Sequence, residues 1–353
     1  MPQSISTNFK KKKTQESASK KRLKVNLISE TPFTVQGHGV HTAFVESCDA
    51  LIKIGVEAKK NSREICDITH IHTVGPYSLF KCLKSKGKVV ITAHVVPASF
   101  VGSLVLSRLW LPLATLYLKF FYNRADAIIA VSPQVKKELE RLGIRKKIYF
   151  IPNGVSLDKF KKNPQKRPLI RKKFNIKEDD FVVMDSGQIQ PRKGIGTFIN
   201  TAKELPEIKF LWVGGMPFSW LGANYREMKK IQKLAPPNVI FAGIVPFDQM
   251  PSYYDAADIL FFPSYQENFP FAIIEAAASK LPLLLRDLDI YEPIFDDNFL
   301  KGNEENFKNY ILKLKANTDF YQEYSNRAYK VAERYEDVKL AKELVKVYKS
   351  LRD

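Results

Sequence analysis

Residues 181–205 read FVVMDSGQIQPRKGIGTFINTAKEL. A short apolar run over 181–185 predicts a strand. The glycine-, proline- and cation-bearing segment Gly187-Gln188-Ile189-Gln190-Pro191-Arg192-Lys193-Gly194 predicts a loop, and residues 195–205 predict a helix. The same alternation extends in both directions. Downstream, β-rich runs fall at 208–213, 238–242, 259–262 and 281–285, with helices over 225–234 and 271–279. Upstream lie runs at 23–29, 67–72, 88–93, 126–131 and 148–151, with helices over 40–54 and 135–142. Alternating β and α elements imply parallel sheets with helices on both faces, so the fold class is α/β, two doubly wound Rossmann-like domains with a cleft between them.

Length agrees with that count, because 353 residues at roughly 100 to 200 per domain favour two units. The reading divides the chain into a flexible basic tail (1–22), a first domain (23–152), a basic linker with Pro164 and Pro168 (153–175), a second domain (176–335), and a C-terminal helix (336–353) expected to cross back to the first domain. Helices predicted over 304–315, 320–334 and 337–351 have no strand between them. Hydrophobic residues at 45% and charged residues at 26% exclude wholesale disorder and a disulfide scaffold. Cys48, Cys66 and Cys82 lie far apart, with no C-x-x-C spacing, and suggest a reducing, cytoplasmic setting. The tail has lysines at 10–13 and no apolar core, unlike a secretory signal. Net charge is the unusual quantity: Lys+Arg 56 against Asp+Glu 37 leaves +19, which attracts anionic partners.

In doubly wound sheets, ligands sit beyond the carboxyl ends of strands. There Arg192 and Lys193, just ahead of a helix, can neutralise a diphosphate. Beyond the strand over 259–262, Glu267 falls in a loop and Glu275 in the following helix, with seven residues between them. Two carboxylates so placed can hold different hydroxyls of one ligand, each charge-assisted bond contributing about 1.5–3 kcal/mol. In the first domain the corresponding loop is Gln36-Gly37-His38-Gly39-Val40, where glycines permit close backbone approach to a phosphate or acceptor.

Arg192-Lys193-Gly194 and Glu267…Glu275, together with Pro152-Asn153-Gly154 and Ala130-Val131-Ser132, resemble the retaining GT-B glycosyltransferases of family four over nearly the whole chain after the tail. The resemblance implies that Arg192 and Lys193 bind the donor diphosphate, Glu275 the ribose hydroxyls and Glu267 the donor sugar. It further implies donor contacts from Gly37, Gly39, Gly187, Asn268, Phe269, Phe271 and Ala272. His94, after the strand over 88–93, resembles the family histidine at the reacting centre. The expected donor is a UDP-hexose, with no other cofactor and no metal. Retaining enzymes of this fold are thought to let the departing phosphate assist the acceptor hydroxyl, without a protein nucleophile. The chain departs from the family in having Glu267-Asn268-Phe269-Pro270 for Glu-Gly-Phe-Gly and Asp289-Ile290-Tyr291-Glu292 for Gly-Gly-x-x-Glu.

All five histidines, His38, His41, His70, His72 and His94, lie in the first domain. His70-Ile71-His72 has a metal-ligand spacing, but no histidine follows His94. Asp287-Leu288-Asp289 imitates a D-x-D metal motif and reads as a loop.

Between Asp67 and Asp126 there is no acidic residue, while Lys81, Lys84, Lys86, Lys88, Arg108, Lys119 and Arg124 are present. Residues 95–122 are too apolar for a routine loop, and Pro97, Arg108 and Pro112 argue against a spanning helix. Phe100, Arg108, Trp110, Leu111 and Lys119 therefore form a candidate face toward an anionic membrane surface. The leading expectation is a peripheral membrane enzyme moving a hexose from a nucleotide sugar to a diacylglycerol or glycosyl-diacylglycerol acceptor. The alternatives are a soluble, polysaccharide or lipopolysaccharide acceptor and, in another class, a nucleic-acid-binding protein. No nucleic-acid module is visible, so nucleic acid is not the expected partner.

Overall fold

The computed structural model describes residues 22–33, 39–100, 107–216 and 225–352, with the backbone alone at 98, 100 and 107–109. Residues 1–21 of the basic tail and the Gln36-Gly37-His38 segment lie outside the described residues.

The first unit runs β1 (Lys24–Ile28), α1 (Gly39–Lys53), β2 (Glu57–Lys60), β3 (Ile68–Ile71), α2 (Pro76–Leu83), β4 (Lys88–Ala93), α3 (Ser107–Tyr122), β5 (Ala127–Ala130), α4 (Pro133–Arg141) and β6 (Lys147–Phe150). Its strands form one six-stranded sheet, ordered β2-β1-β3-β4-β5-β6, with every pair parallel. Both faces are covered, as a parallel sheet requires. Ile28, Ile91 and Ile128 pack with Leu118, Phe121 and Val135 on one side, and Val25, Leu27 and Ile68 pack with Phe44, Cys48 and Leu51 on the other.

The second unit runs α5 (Arg167–Lys173), β7 (Val182–Ser186), α6 (Ile195–Lys203), β8 (Lys209–Val213), α7 (Tyr225–Lys233), β9 (Val239–Gly243), α8 (Met250–Ala256), β10 (Ile259–Phe262), α9 (Phe271–Ala278), β11 (Leu283–Arg286), α10 (Glu292–Phe295), β12 (Leu300–Gly302), α11 (Phe307–Ala316) and α12 (Thr318–Arg334). Its sheet order is β12-β11-β10-β7-β8-β9, again parallel throughout. On one face Phe198 meets the rings of Phe210 and Trp212 edge-on, both at 5.2 Å between centroids.

Four elements differ from the sequence expectation. β2 has the sequence EAKK, a charged edge strand with no apolar alternation, held by its pairing with β1. β12 and α8 are likewise absent from the sequence reading. The stretch expected to be a linker, 153–175, contains α5. Its Arg171 is buried at 2% exposure, donates to the carbonyls of Ala256, Lys177, Glu178 and Asp180, and pairs with Asp258 at 3.0 Å. Arg167 donates to the carbonyls of Asp255 and Ala257 at 3.1 Å and pairs with Asp258 at 2.7 Å. The basic residues that make this segment look solvated instead satisfy carbonyls at the C-terminus of α8, where the helix dipole favours cations.

The chain crosses between units twice, side by side. Val155 N donates to the Tyr335 carbonyl at 2.8 Å, and Asp337 N donates to the Val155 carbonyl at 2.9 Å. At Gly154 a Cβ would lie 2.8 Å from Asp337 Cα, so only glycine fits this crossing. Beyond it α13 (Asp337–Ser350) packs on the first unit, with Leu344, Val347 and Tyr348 buried against the α1 and β1 core.

Candidate active site

Between the two sheets lies a cleft of about 450 Å³, lined by residues of both units. In the second unit a tight 3-10 turn, Pro191–Lys193, carries the two cations. Gly194 follows with φ 74° in the left-handed region, and a Cβ there would collide with the Pro263 carbonyl. Glycine thus lets the cationic turn press against the end of β10. The Arg192 carbonyl accepts from Tyr265 N at 2.8 Å and Ser264 Oγ at 3.1 Å, which locks the turn to the loop that holds Glu267.

Lys193 Nζ and Glu267 Oε1 are 2.5 Å apart, with side chains only 14% and 6% exposed. Ser264 Oγ donates to the same carboxylate oxygen at 2.6 Å. Burial, with the like charge of Arg192, holds the Lys193 ammonium below its ordinary value against the pull of Glu267. Arg192 is aimed by two neighbours: its Nε donates to Gln190 Oε1 at 3.0 Å and its guanidinium to the Gln266 carbonyl at 3.2 Å. Gln190 in turn donates to Gln188 Oε1 at 2.9 Å.

Glu275 sits in α9, 5% exposed, and accepts from the Tyr254 hydroxyl at 2.8 Å. Burial pushes its carboxyl up to about 7. Phe271 and Ala272 of the same helix line the cleft, and Gly39 at the start of α1 faces Phe271 across it, where an added Cβ would lie 3.5 Å from the ring. Gly187 lines the cleft as well, its carbonyl accepting from Trp212 Nε1 at 3.0 Å. Asn268 bridges the units: its Nδ2 lies 3.4 Å from the His94 carbonyl and 3.2 Å from Ser99 Oγ. Phe269 borders the cleft, but its ring is buried edge-on against Tyr335 at 5.2 Å, so its contribution is packing. His94 lines the cleft from the end of β4, half-buried, with Nε2 3.3 Å from His72 Nδ1.

Arg192, Lys193, Glu267, Glu275, His94, Gly39, Gly187, Asn268, Phe271 and Ala272 therefore come to one cleft, and Gly37 lies outside the described residues. Several neighbours were not found from the sequence. Asp185 is buried at 1% exposure, and desolvation pushes its carboxyl well above the usual range. Arg286, at the end of β11, donates to the Pro263 carbonyl at 2.8 Å and to both Glu304 oxygens at 2.8 and 3.0 Å, bracing the loop beneath Glu267. Gly214, Ile244, Val245, Phe247 and Met250 form an apolar end of the cleft. Only the position of Asp185 and Arg286 at strand ends could have pointed to them.

His70 and His72 are buried at 0% and 2% exposure, and His70 is held between Thr92 Oγ1 and the Tyr348 hydroxyl, both at 2.6 Å. Among the described residues no group of three or more His, Cys, Asp or Glu is placed to hold a metal ion. On α3, Trp110 and Leu111 are half-buried and Lys119 is exposed, while the side chains of Phe100 and Arg108 lie outside the described set. Among its described side chains, the apolar residues α3 leaves most open are Leu113 (73%), Leu116 (66%) and Phe120 (44%). Among the described residues no helix is long and apolar enough to cross a membrane.

Comparison with known proteins agrees with this arrangement. The family described as "Glycosyl transferases group 1" matches residues 166–331, and "Glycosyltransferase Family 4" matches residues 37–159. The alpha-galactosylglucosyldiacylglycerol synthase of Streptococcus pneumoniae is 34% identical over 90% of this chain and 87% of its own. The processive diacylglycerol alpha-glucosyltransferase of Acholeplasma laidlawii is 27% identical over 93% of this chain and 98% of its own. Among solved structures, Anabaena HepE in complex with UDP and glucose superposes with a TM-score of 0.74 at 16% identity, covering 94% of this chain and 100% of that one. With two parallel-sheet units, a cationic turn and paired carboxylates in one cleft, and a relative 34% identical over nine-tenths of the chain, this chain belongs to the family-four glycosyltransferases of GT-B architecture.

Proposed function

We propose that this glycosyltransferase moves a hexose from a UDP-hexose to the head group of a glycosyl-diacylglycerol at an anionic membrane surface, with retention at the anomeric carbon. The observation that carries the reading is the buried Lys193–Glu267 pair beside Arg192 and Glu275, in a chain alike over nine-tenths of its length to an enzyme named for a galactosylglucosyl-diacylglycerol product. UDP as the nucleotide is supported by HepE, whose structure holds UDP and glucose in the same fold.

In the resting cleft Lys193 and Glu267 neutralise one another. A bound donor offers each a better partner: the diphosphate takes Lys193 and Arg192, and the sugar hydroxyls donate to Glu267. Glu275 accepts from the ribose hydroxyls, oriented by Tyr254. The bond from C1 to the diphosphate oxygen then breaks while the acceptor oxygen bonds to C1 on the same face, and the acceptor proton passes to the departing phosphate oxygen. Positioning and electrostatic stabilisation of the leaving group supply the catalysis.

Membrane contact is supported by α3. Leu113, Leu116 and Phe120 are exposed on it, Lys119 is exposed beside them, and Arg124 stacks over the Phe120 ring at 4.6 Å. On α2, Phe80 and Leu83 are also exposed, with Lys84 over the Phe80 ring at 4.6 Å. Each cation near anionic lipid contributes about 1 kcal/mol.

The test incubates the protein with UDP-glucose or UDP-galactose and anionic vesicles with or without glucosyl-diacylglycerol, following UDP release and the anomeric form of the product. UDP release that depends on the glycolipid, with an α-linked product, is expected. Turnover on a soluble saccharide without vesicle association would replace the reading with a soluble or lipopolysaccharide acceptor.

A further inference from the structure

His72 directly follows β3 and is 2% exposed. Its ring plane lies 24° from that of His94, with centroids 5.5 Å apart, and its Nδ1 meets His94 Nε2 at 3.3 Å. Its other nitrogen, Nε2, is buried without a hydrogen-bond partner among the described residues. Phe44 meets the ring edge-on at 6.0 Å, and the His70 ring lies 4.5 Å away.

We propose that His72 is a positioning residue that fixes the tautomer of His94, so that His94 carries its ring proton on Nδ1 and Nε2 is committed to His72.

The buried His72 and half-buried His94 imidazoles, 3.3 Å apart, share one proton between their facing nitrogens, and two tautomer pairs satisfy that contact. In one, His94 donates from Nε2 and His72 carries its own proton on Nε2, leaving an N–H in a buried place without an acceptor. In the other, His72 donates from Nδ1 and leaves only a bare lone pair there. An orphaned buried N–H is the rarer and costlier outcome, so the second pair is favoured. Burial, with the like charges of His70 and His94, holds His72 well below its ordinary value, and burial takes His70 down to about 3. His72 is therefore neutral. His70 does not compete for His72, since Thr92 and Tyr348 occupy both of its nitrogens.

With Nε2 occupied as an acceptor, whatever the Nδ1 side of His94 meets, it meets as a hydrogen-bond donor. Such a histidine orients a sugar oxygen and does not take the acceptor's proton, which leaves that task to the departing phosphate. The functional consequence rests on the transfer reading above, whereas the tautomer itself does not.

The chain has five histidines, few enough for nitrogen NMR on histidine-labelled full-length protein, with His94 assigned by its loss in His94→Gln. The expected spectrum has His94 Nδ1 protonated and Nε2 bare. His72→Phe keeps the ring but loses the donor: His94 should shift toward the Nε2-protonated form, and kcat should fall about tenfold, the order of one hydrogen bond, with donor KM unchanged. His72→Asn, whose amide nitrogen can stand where Nδ1 stood, should restore kcat to within about threefold. Wild-type protein with His94 protonated on Nε2 overturns the proposal whether or not any variant folds, as does His72→Phe with wild-type kcat. A wild-type protein with the proton on Nδ1 that transfers no hexose refutes the functional reading and leaves the tautomer standing.

Discussion

Replacing Lys193 by methionine separates what the lysine does for the fold from what it does for the reaction. Its partner Glu267 is 6% exposed, and the pair is 2.5 Å apart. Buried Asp185 lies close enough to disfavour further negative charge. Removing the ammonium leaves a buried carboxylate with Ser264 Oγ as its one remaining donor among the described residues. Loss of one partner of a buried pair destabilises by about 3–5 kcal/mol, so Lys193→Met should lower the urea midpoint accordingly. Pairing it with Glu267→Gln removes the orphaned charge, and the double variant should regain most of that stability. Activity should behave in the opposite way. A missing counter-charge on the leaving diphosphate lowers kcat by about 10²–10³, and the double variant should stay inactive. Urea titration and UDP release on the same four proteins provide both readouts. If the double variant is no more stable than the sum of the singles, to within about 0.5 kcal/mol, the resting ion pair is not what holds these residues. If it regains turnover, Lys193 does not serve the diphosphate.

Glu275 should confer a pH dependence on donor binding. Its carboxyl is pushed up to about 7 by burial, with Tyr254, Glu46 and Lys159 as its charged or titratable neighbours. Protonation below that value removes an acceptor for ribose hydroxyls, so UDP affinity should weaken as pH falls from 8 to 5.5, approaching roughly tenfold per pH unit at the acid end. Calorimetry on Glu275→Gln should find weak, flat affinity over the same range, and an unchanged slope would refute the assignment. Gly194→Ala should destabilise by about 1–2 kcal/mol from the left-handed backbone alone and lower UDP affinity as the cationic turn leaves Pro263; thermal unfolding and calorimetry check both. A charge on the open face of α3, Leu113→Glu with Leu116→Glu, should abolish sedimentation with anionic vesicles at physiological salt while UDP affinity stays at the wild-type value. Retained sedimentation would move the membrane face elsewhere.

The order of strands and helices, and the loops that hold Arg192, Lys193, Glu267 and Glu275, were legible because they are local: an apolar run, a turn signal and a helix-like stretch fall within about twenty-five residues. In a parallel sheet that local grammar suffices to put the loops at one end. What the sequence left out has a common physical character. β2 is a strand only because β1 lends it hydrogen bonds, and the basic segment over 153–175 becomes a docked helix only because α8 presents carbonyls and Asp258 to its arginines. On α3 the sequence supplied the apolar content, but which side chains face solvent followed from how the helix packs against Val131, Val135 and the sheet.

The partnerships inside the cleft belong to the same class. Lys193 and Glu267 stand 74 positions apart, Tyr254 and Glu275 stand 21 apart, and His72 and His94 stand 22 apart. Lys193 meets Glu267 and His72 meets His94 because neighbouring parallel strands bring their ends together, and Tyr254 meets Glu275 because α8 packs on α9, so sequence alone determined which chemical groups reach the carboxyl ends of the sheets. Tertiary structure decided which of those groups neutralise, orient or protonate one another, since such couplings depend on distances and burial that no local pattern encodes.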